Sequence, residues 1–78
     1  MKTIRKFLEK LGYIVRPAYS EKCTSAILKT EKITTYINIE IKANGYYVEV
    51  SEAMKNSVRT KKVVLNGYKK VIDYIKTV

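Results

Sequence analysis

The sequence lacks histidine and tryptophan, and it contains one cysteine and one proline. Without histidine, sites that use an imidazole as a metal ligand or general base are excluded, and so is a serine–histidine triad. The single cysteine, Cys23, cannot form a disulfide within the chain. No apolar run approaches the about 18 residues of a transmembrane helix, and no signal sequence is recognisable. We therefore expect a cytoplasmic protein with no membrane partner, no metal and no cofactor.

Acidic residues are also few, because 7 Asp and Glu stand against 16 Lys and Arg and give the 78 residues a net charge of +9. Self-repulsion on this scale is usually tolerated where a protein meets an anionic partner. A chain this short forms one domain, residues 1–78, and buries only about 60% of its unfolded surface. It has little room for catalytic machinery, so we expect a protein that is not an enzyme.

The positive charge is concentrated at the two ends of the chain. Residues 1–22 have six basic and two acidic side chains, residues 23–53 have three and four, and residues 54–78 have seven and one. The ends have helical patterns and the middle has a strand pattern. The basic surface should therefore be a helical face, with the sheet mainly as a scaffold.

An amphipathic helix of about three turns is predicted at the N-terminus, where apolar residues repeat at i, i+3, i+4 and i+7. These residues are Ile4, Phe7, Leu8 and Leu11. Gly12 is expected to end the helix as its C-terminal cap. Pro17 prevents a helix from continuing through Arg16.

Three strands are predicted, at residues 24–29, 33–42 and 46–50. The second is the clearest, because β-branched residues alternate with polar ones along it. Asn44-Gly45 is the signature of a type I′ hairpin turn between the second and third strands. Counting outward from that two-residue turn sets Glu40 opposite Glu49 and brings every aliphatic residue to one face.

A second helix is predicted near the C-terminus, beginning at Thr60 or as early as Ser51. Its apolar stripe is Val64, Leu65, Tyr68, Val71, Ile72 and Ile75. Gly67 within it would allow the helix to approach the sheet closely. The predicted fold is α+β, an α-β-β-β-α two-layer sandwich in which a three-stranded antiparallel sheet has two helices on one face.

This order of elements resembles the double-stranded-RNA-binding domain. Pro17-Ala18-Tyr19 is similar to the Pro-x-Tyr that leads into the family's first strand, and residues 37–45 resemble its second strand and turn. Arg59-Thr60-Lys61-Lys62 is similar to the start of its second helix. The family's Gly-Pro-x-His loop is absent, and Leu65 stands where a third lysine is usual.

The resemblance implies three contacts with duplex RNA. Lys61 and Lys62 would hold phosphates across the major groove from a helix N-terminus, where backbone amides and the helix dipole favour anions. Glu9 would lie at the groove-facing edge of the first helix. Residues 30–32 would form the loop that reaches the next minor groove.

Together, these patterns predict a non-enzymatic protein that contacts the phosphate backbone of nucleic acid, with duplex RNA preferred and DNA second. The expected contact residues are Lys6, Glu9, Lys10, Lys32, Arg59, Lys61, Lys62, Lys69 and Lys70. The alternative is a small interaction or regulatory protein, or a homodimer, whose basic surface meets an acidic partner.

A pair of glutamates, the single cysteine and a set of tyrosines are also considered as functional groups. Glu40 and Glu49, with Lys42 on the same face, resemble the Glu-x-Lys of metal-dependent nucleases, although a solvated pair is the simpler interpretation. Cys23 is expected to be inert, since no histidine activates it. The tyrosines Tyr36, Tyr46 and Tyr47 could stack on unpaired bases or serve as ordinary strand residues.

Overall fold

A computed structural model describes residues 1–17 and 20–78. Its elements are α1 (Lys2–Lys10), β1 (Ile14–Val15), β2 (Cys23–Lys29), β3 (Thr34–Lys42), β4 (Gly45–Met54), β5 (Ser57–Leu65) and α2 (Tyr68–Ile75). The strands of these residues form one antiparallel sheet in the order β1-β2-β3-β4-β5, so every strand pairs with its neighbours in sequence. The Pro-x-Tyr match at 17–19 extends outside the described residues.

The α+β class is confirmed, but the three-stranded sheet is wrong, because the described residues form five strands. The added strands are β1, at one edge, and β5, at the other. Residues 57–65 were expected to lie in a loop and the start of a helix, and they pair instead with residues 46–54 of β4. Val58, Val63 and Val64 are β-branched, which suits an extended strand better than a helix.

The N-terminal helix and its cap are confirmed. Ile4 and Leu8 of α1 are buried, as the apolar stripe predicts. Gly12 has a φ of 98°, and its N–H donates to the carbonyl of Glu9 at 3.0 Å. The N–H of Tyr13 donates to the carbonyl of Leu8 at 3.0 Å, which completes a Schellman motif. This turn directs the chain from α1 into β1.

The core lies between one face of the sheet and the helices α1 and α2. Alternate residues of β3 and β4 are buried, and the helices contribute one apolar side each. The buried aliphatic residues of these four elements are Ile4, Leu8, Ile37, Ile39, Val48, Val50, Val71 and Ile75. The other face of the sheet, which we call the open face, has no covering element among the described residues.

The predicted register of β3 and β4 is wrong by two residues. Lys42 pairs with Gly45, so that the turn is Ala43-Asn44 and Glu40 lies opposite Tyr47 rather than Glu49. A shift of two keeps each side chain on its predicted face. Gly45 has a φ of 132°, and a Cβ there would lie 2.6 Å from the carbonyl oxygen of Leu65. Glycine is therefore required inside the sheet, beside β5, rather than at the tip of the turn.

The second helix begins at Tyr68, and Gly67 precedes it as the N-cap. The expected close approach of helix to sheet at Gly67 is wrong, because, apart from its neighbours in the chain, no described residue has an atom within 4 Å of its ideal Cβ position. Its φ of 110° explains the glycine instead, since other residues rarely adopt that conformation. The expected start at Thr60 is wrong because Thr60 lies in β5.

Candidate functional site

A stripe of lysines covers the outer side of α1. Lys2, Lys6 and Lys10 are exposed and recur every fourth residue. Ile4 and Leu8 face the core, so this spacing puts the lysines on the opposite side of the helix. Within residues 1–17 and 20–78, none of these lysines has a carboxylate oxygen within 4.0 Å. The stripe is therefore charge without an internal partner, and Glu9 lies exposed beside it.

Two more lysines occupy the first turn of α2. Lys69 and Lys70 are exposed, and among the described residues that turn contains no acid and Gly67 provides no side-chain cap. Cations at this end of a helix oppose the macrodipole and cost about 0.3 to 1 kcal/mol each. Since α1 and α2 are in contact, these lysines belong to the same helical layer as the α1 stripe.

The basic cluster of β5 is divided between the two faces of the sheet. Lys61 lies opposite the buried Val50, which puts it on the face that the helices cover. Lys62 lies opposite Glu49 on the open face, and its Nζ is 3.4 Å from Glu49 Oε2. The helix N-terminus expected at Lys61 and Lys62 is absent from the described fold, because both residues are in a strand.

Arg59 shares the helix-covered face with Lys61, and Lys32 lies at the tip of a tight turn. Arg59 is exposed and opposite Glu52. The expected reaching loop at 30–32 is short: the Thr30 N–H donates to the carbonyl of Ile33 at 2.9 Å, and the Ile33 N–H donates to Thr30 Oγ1 at 3.1 Å. The turn between them contains only Glu31 and Lys32. Lys32 is thus held in the turn at one end of the sheet, outside α1 and α2.

Arg5 has a structural role that the sequence pattern did not reveal. Its Nη2 donates to the carbonyl oxygens of Ser20 and Cys23, both at 3.0 Å, and Nη1 lies 3.8 Å from a Glu21 carboxylate oxygen. Arg5 thereby attaches α1 to the segment that leads into β2. Its position on α1, between the buried side and the lysine stripe, could have indicated a contact with a neighbouring segment.

Glu40 and Glu49, the two carboxylates that resemble part of a nuclease site, are not opposite each other. Glu40 is 3.3 Å from Lys42 Nζ, and Glu49 is paired with Lys62, so each carboxylate has its own cation. In the part of the chain that the structure describes, no group of three His, Cys, Asp or Glu residues could hold a metal ion. The two-residue change in register is the reason for this separation.

The three tyrosines do not form a cluster at the β3–β4 turn, because Tyr36 lies near the other end of β3, opposite Ser51. Tyr46 is opposite Ile41 and packs against the core, whereas Tyr36 and Tyr47 are on the open face. Lys42 Nζ lies 4.6 Å from the centre of the Tyr47 ring, within the range of a cation–π contact. A groove of about 590 Å³ runs over this face beside Tyr47, and its floor is formed by β2, β3, β4 and β5.

Neither helix of residues 1–17 and 20–78 has the length and apolar character required to cross a membrane. A comparison of the sequence with family models and with curated proteins, and of the fold with solved structures, finds no match.

Proposed function

We propose that this protein is a non-enzymatic nucleic-acid-binding domain that contacts the phosphate backbone through its helical layer. The contact surface, which we call the basic layer, consists of cations from α1, α2 and the helix-covered side of β5. Its members are Lys2, Lys6, Lys10, Arg59, Lys61, Lys69 and Lys70. Glu9 lies at its border on α1.

The observation that carries this assignment is the group of basic-layer cations that lack a carboxylate partner, whereas the neighbouring Lys76 of α2 is paired with Asp73 at 3.9 Å. On the open face, Lys42 and Lys62 each have a carboxylate partner. The lysines of the basic layer have none within 4.0 Å in the described parts of the chain, although the layer includes a helix start where cations are unfavourable. An external polyanion would supply the missing negative charge and reduce the self-repulsion of a +9 domain.

The basic layer has a geometry suited to a duplex backbone rather than to reading bases. The stripe from Lys2 to Lys10 is about 12 Å long, at about 1.5 Å per helical residue. Long, flexible ammonium groups along such a stripe act as point charges for phosphates. We therefore expect little sequence preference.

Duplex RNA is kept as the first partner to test and duplex DNA as the second. The preference for RNA came from the resemblance to the double-stranded-RNA-binding domain. In the five-stranded fold, Lys61 and Lys62 do not begin a helix, so the proposal of a duplex rests on the charge of the basic layer and on the length of its lysine stripe. We propose a cytoplasmic location, and contact with the phosphate backbone of either duplex requires no cofactor.

Binding should be measured by fluorescence anisotropy with labelled duplex RNA and duplex DNA at two salt concentrations. The double variant Lys6→Glu/Lys10→Glu should lose at least about tenfold in affinity, and its salt dependence should fall by about one unit of slope for each lost phosphate contact. Lys22→Glu/Lys55→Glu is the matched control, because both residues are exposed, lie outside the basic layer and give the same change in net charge.

Equal losses in the two double variants would show only a general effect of net charge and would contradict the assignment. Absence of wild-type binding to either duplex at about 0.15 M salt would also contradict it, since at that ionic strength a true phosphate surface still binds. In that case, an acidic protein would become the better candidate for the partner.

A further inference from the structure

The open face contains two aromatic side chains on either side of a polar centre. Tyr36 is 40% exposed, and Tyr47 is half-buried. Tyr47 lies opposite Glu40, which is four residues along β3 from Tyr36, so the two positions are about 14 Å apart along the sheet at about 3.4 Å per residue. The groove of about 590 Å³ lies over the polar centre and is lined in part by Tyr47, Asn38 and Glu49.

The polar centre offers hydrogen-bond donors and acceptors side by side. Asn38 and Glu49 are directly opposite each other on β3 and β4. Asn38 Oδ1 accepts a hydrogen bond from Ser25 Oγ at 2.7 Å, which orients the amide and leaves its NH₂ group without a partner among residues 1–17 and 20–78. The Glu49 carboxylate has one contact there, with Lys62 at 3.4 Å. An amide donor beside a carboxylate acceptor complements the edge of an unpaired base.

The charges of the open face are arranged around this centre. Lys29 lies near one end of β2, Lys42 lies at the opposite end of β3, and Lys62 lies on the edge strand β5. Glu40 and Glu49 are each offset by a lysine within 3.4 Å. Lys62 lines the groove and Lys42 lies against the Tyr47 ring beside it, so a phosphate backbone that crosses the sheet there would meet cations.

We propose that the open face binds single-stranded nucleic acid. One base stacks on Tyr36, another stacks on Tyr47, and a base between them meets the Asn38 amide and the Glu49 carboxylate. Stacking on aromatic side chains tolerates every base, because each base has a π-face. This site is separate from the basic layer, since the sheet lies between them. Its test is therefore independent of the test for duplex binding.

A second copy of the chain fits the open face less well than a nucleic acid does. Self-association through this face would bury Glu49 and Lys62 at its centre, where desolvation of the charges is costly. Self-association through the edge strand β5 is disfavoured by its exposed lysines. Sedimentation of the wild-type protein is nevertheless part of the test.

The test measures anisotropy of labelled single-stranded DNA and RNA of about ten nucleotides, a length within the range of known single-strand sites. Tyr36→Ala and Tyr47→Ala should each weaken binding by about tenfold, whereas Tyr36→Phe should retain most of the affinity because the ring is kept. Tyr68→Ala is the matched control, since Tyr68 is 44% exposed but belongs to α2.

Asn38→Asp provides a second variant that preserves size while it replaces the amide donors with a negative charge. It should weaken single-strand binding and lower the thermal stability only slightly, because the new carboxylate lies opposite Glu49 on an exposed face. This variant tests the site without removing the ring of Tyr47, whose loss could unfold the protein. The tyrosine variants should also leave the salt slope unchanged, because they remove no phosphate contact. Lys6→Glu/Lys10→Glu should affect duplex binding far more than single-strand binding.

Three results would overturn the single-strand site. One is unchanged affinity in the alanine variants at Tyr36 and Tyr47, measured on folded protein. Another is an equal loss in Tyr68→Ala. The third is a wild-type dimer that Tyr36→Ala converts to a monomer without a change in oligonucleotide affinity, which would assign the face to self-association.

Discussion

At the scale of single residues, several positions are determined by contacts that local sequence patterns do not contain. Gly45 is the clearest, because its requirement comes from the backbone of β5, which is 20 residues away in sequence at Leu65. Tyr13 is another, because it follows the cap of α1 and is buried, and because the negative charge of Glu52 on β4 adds to burial in raising its pKa. Each position gives a stability measurement that tests the fold.

Gly45→Ala should lower the free energy of unfolding by about 2 kcal/mol or more, because the new Cβ meets a carbonyl oxygen at 2.6 Å and the φ of 132° is strained for alanine. Urea denaturation measures the change. Gly67→Ala is the control, since its φ of 110° is also unfavourable but its Cβ has nothing within 4 Å among the described residues. If both variants lose the same stability, the close approach of Gly45 to β5 is incorrect.

Tyr13 should make the protein less stable at alkaline pH. Burial of the phenol, and secondarily the negative charge of Glu52, raise the pKa of Tyr13 above its usual value of 10.0. The unfolded chain therefore loses this proton first, so the stabilisation is complete below about pH 10 and declines as the pH rises toward the folded pKa. Thermal unfolding of Tyr13→Phe should show a weaker decline than the wild type over this interval, and parallel curves would refute the assignment.

At the scale of elements, the sequence predicted the parts whose pattern has a single interpretation. The first helix with its Gly12 cap was predicted within a few residues, and so were the strands β2 and β3. The predicted third strand ended at Val50, whereas β4 continues to Met54. β5 was missed because Val64 and Leu65 fit a helical stripe with Tyr68, while their pairing with β4 depends on a distant partner. The same missing strand explains the error in the β3–β4 register, since Gly45 is constrained by β5.

The candidate site was predictable to the same degree. Lys6, Lys10, Lys69 and Lys70 lie on the helical layer, where charge distribution had suggested a basic surface. Lys62 does not, because alternation along a strand sends adjacent residues to opposite faces. The opposite faces of Lys61 and Lys62 could not be predicted, because residues 57–65 were not predicted to form a strand.

Arg5 tests how α1 is attached to the sheet. Arg5→Met should lower the free energy of unfolding by about 2 kcal/mol, because two hydrogen bonds from a charged group to the carbonyls of Ser20 and Cys23 are lost. Lys6→Met, one residue further along α1 and exposed, should change stability by less than about 0.5 kcal/mol and should weaken duplex binding. Equal stability of the two variants would show that the Arg5 contacts do not hold the segment.

At the scale of the whole molecule, the sheet separates two surfaces of different charge. Among the described residues, most lysines of the helical layer have no carboxylate partner, although Lys76 is paired with Asp73, and on the open face Lys42 and Lys62 are paired with carboxylates beside tyrosines. A chain of 78 residues has a small core, so a net charge of +9 is a substantial burden on its stability. The proposal that the helical layer binds a polyanion rests on the unpaired charge that lies on that side of the sheet.

The central claim, that the helical layer is the duplex-binding surface, is tested most directly by mapping the contact on the protein. Backbone ¹H–¹⁵N resonances should be followed as duplex RNA, and separately duplex DNA, is added to the wild-type protein. We expect the largest shifts at residues 2–10 and 67–76, with small changes on the open-face positions of β3 and β4. Shifts concentrated on Tyr36, Asn38 and Tyr47 instead, or no shifts with either duplex at about 0.15 M salt, would contradict the claim.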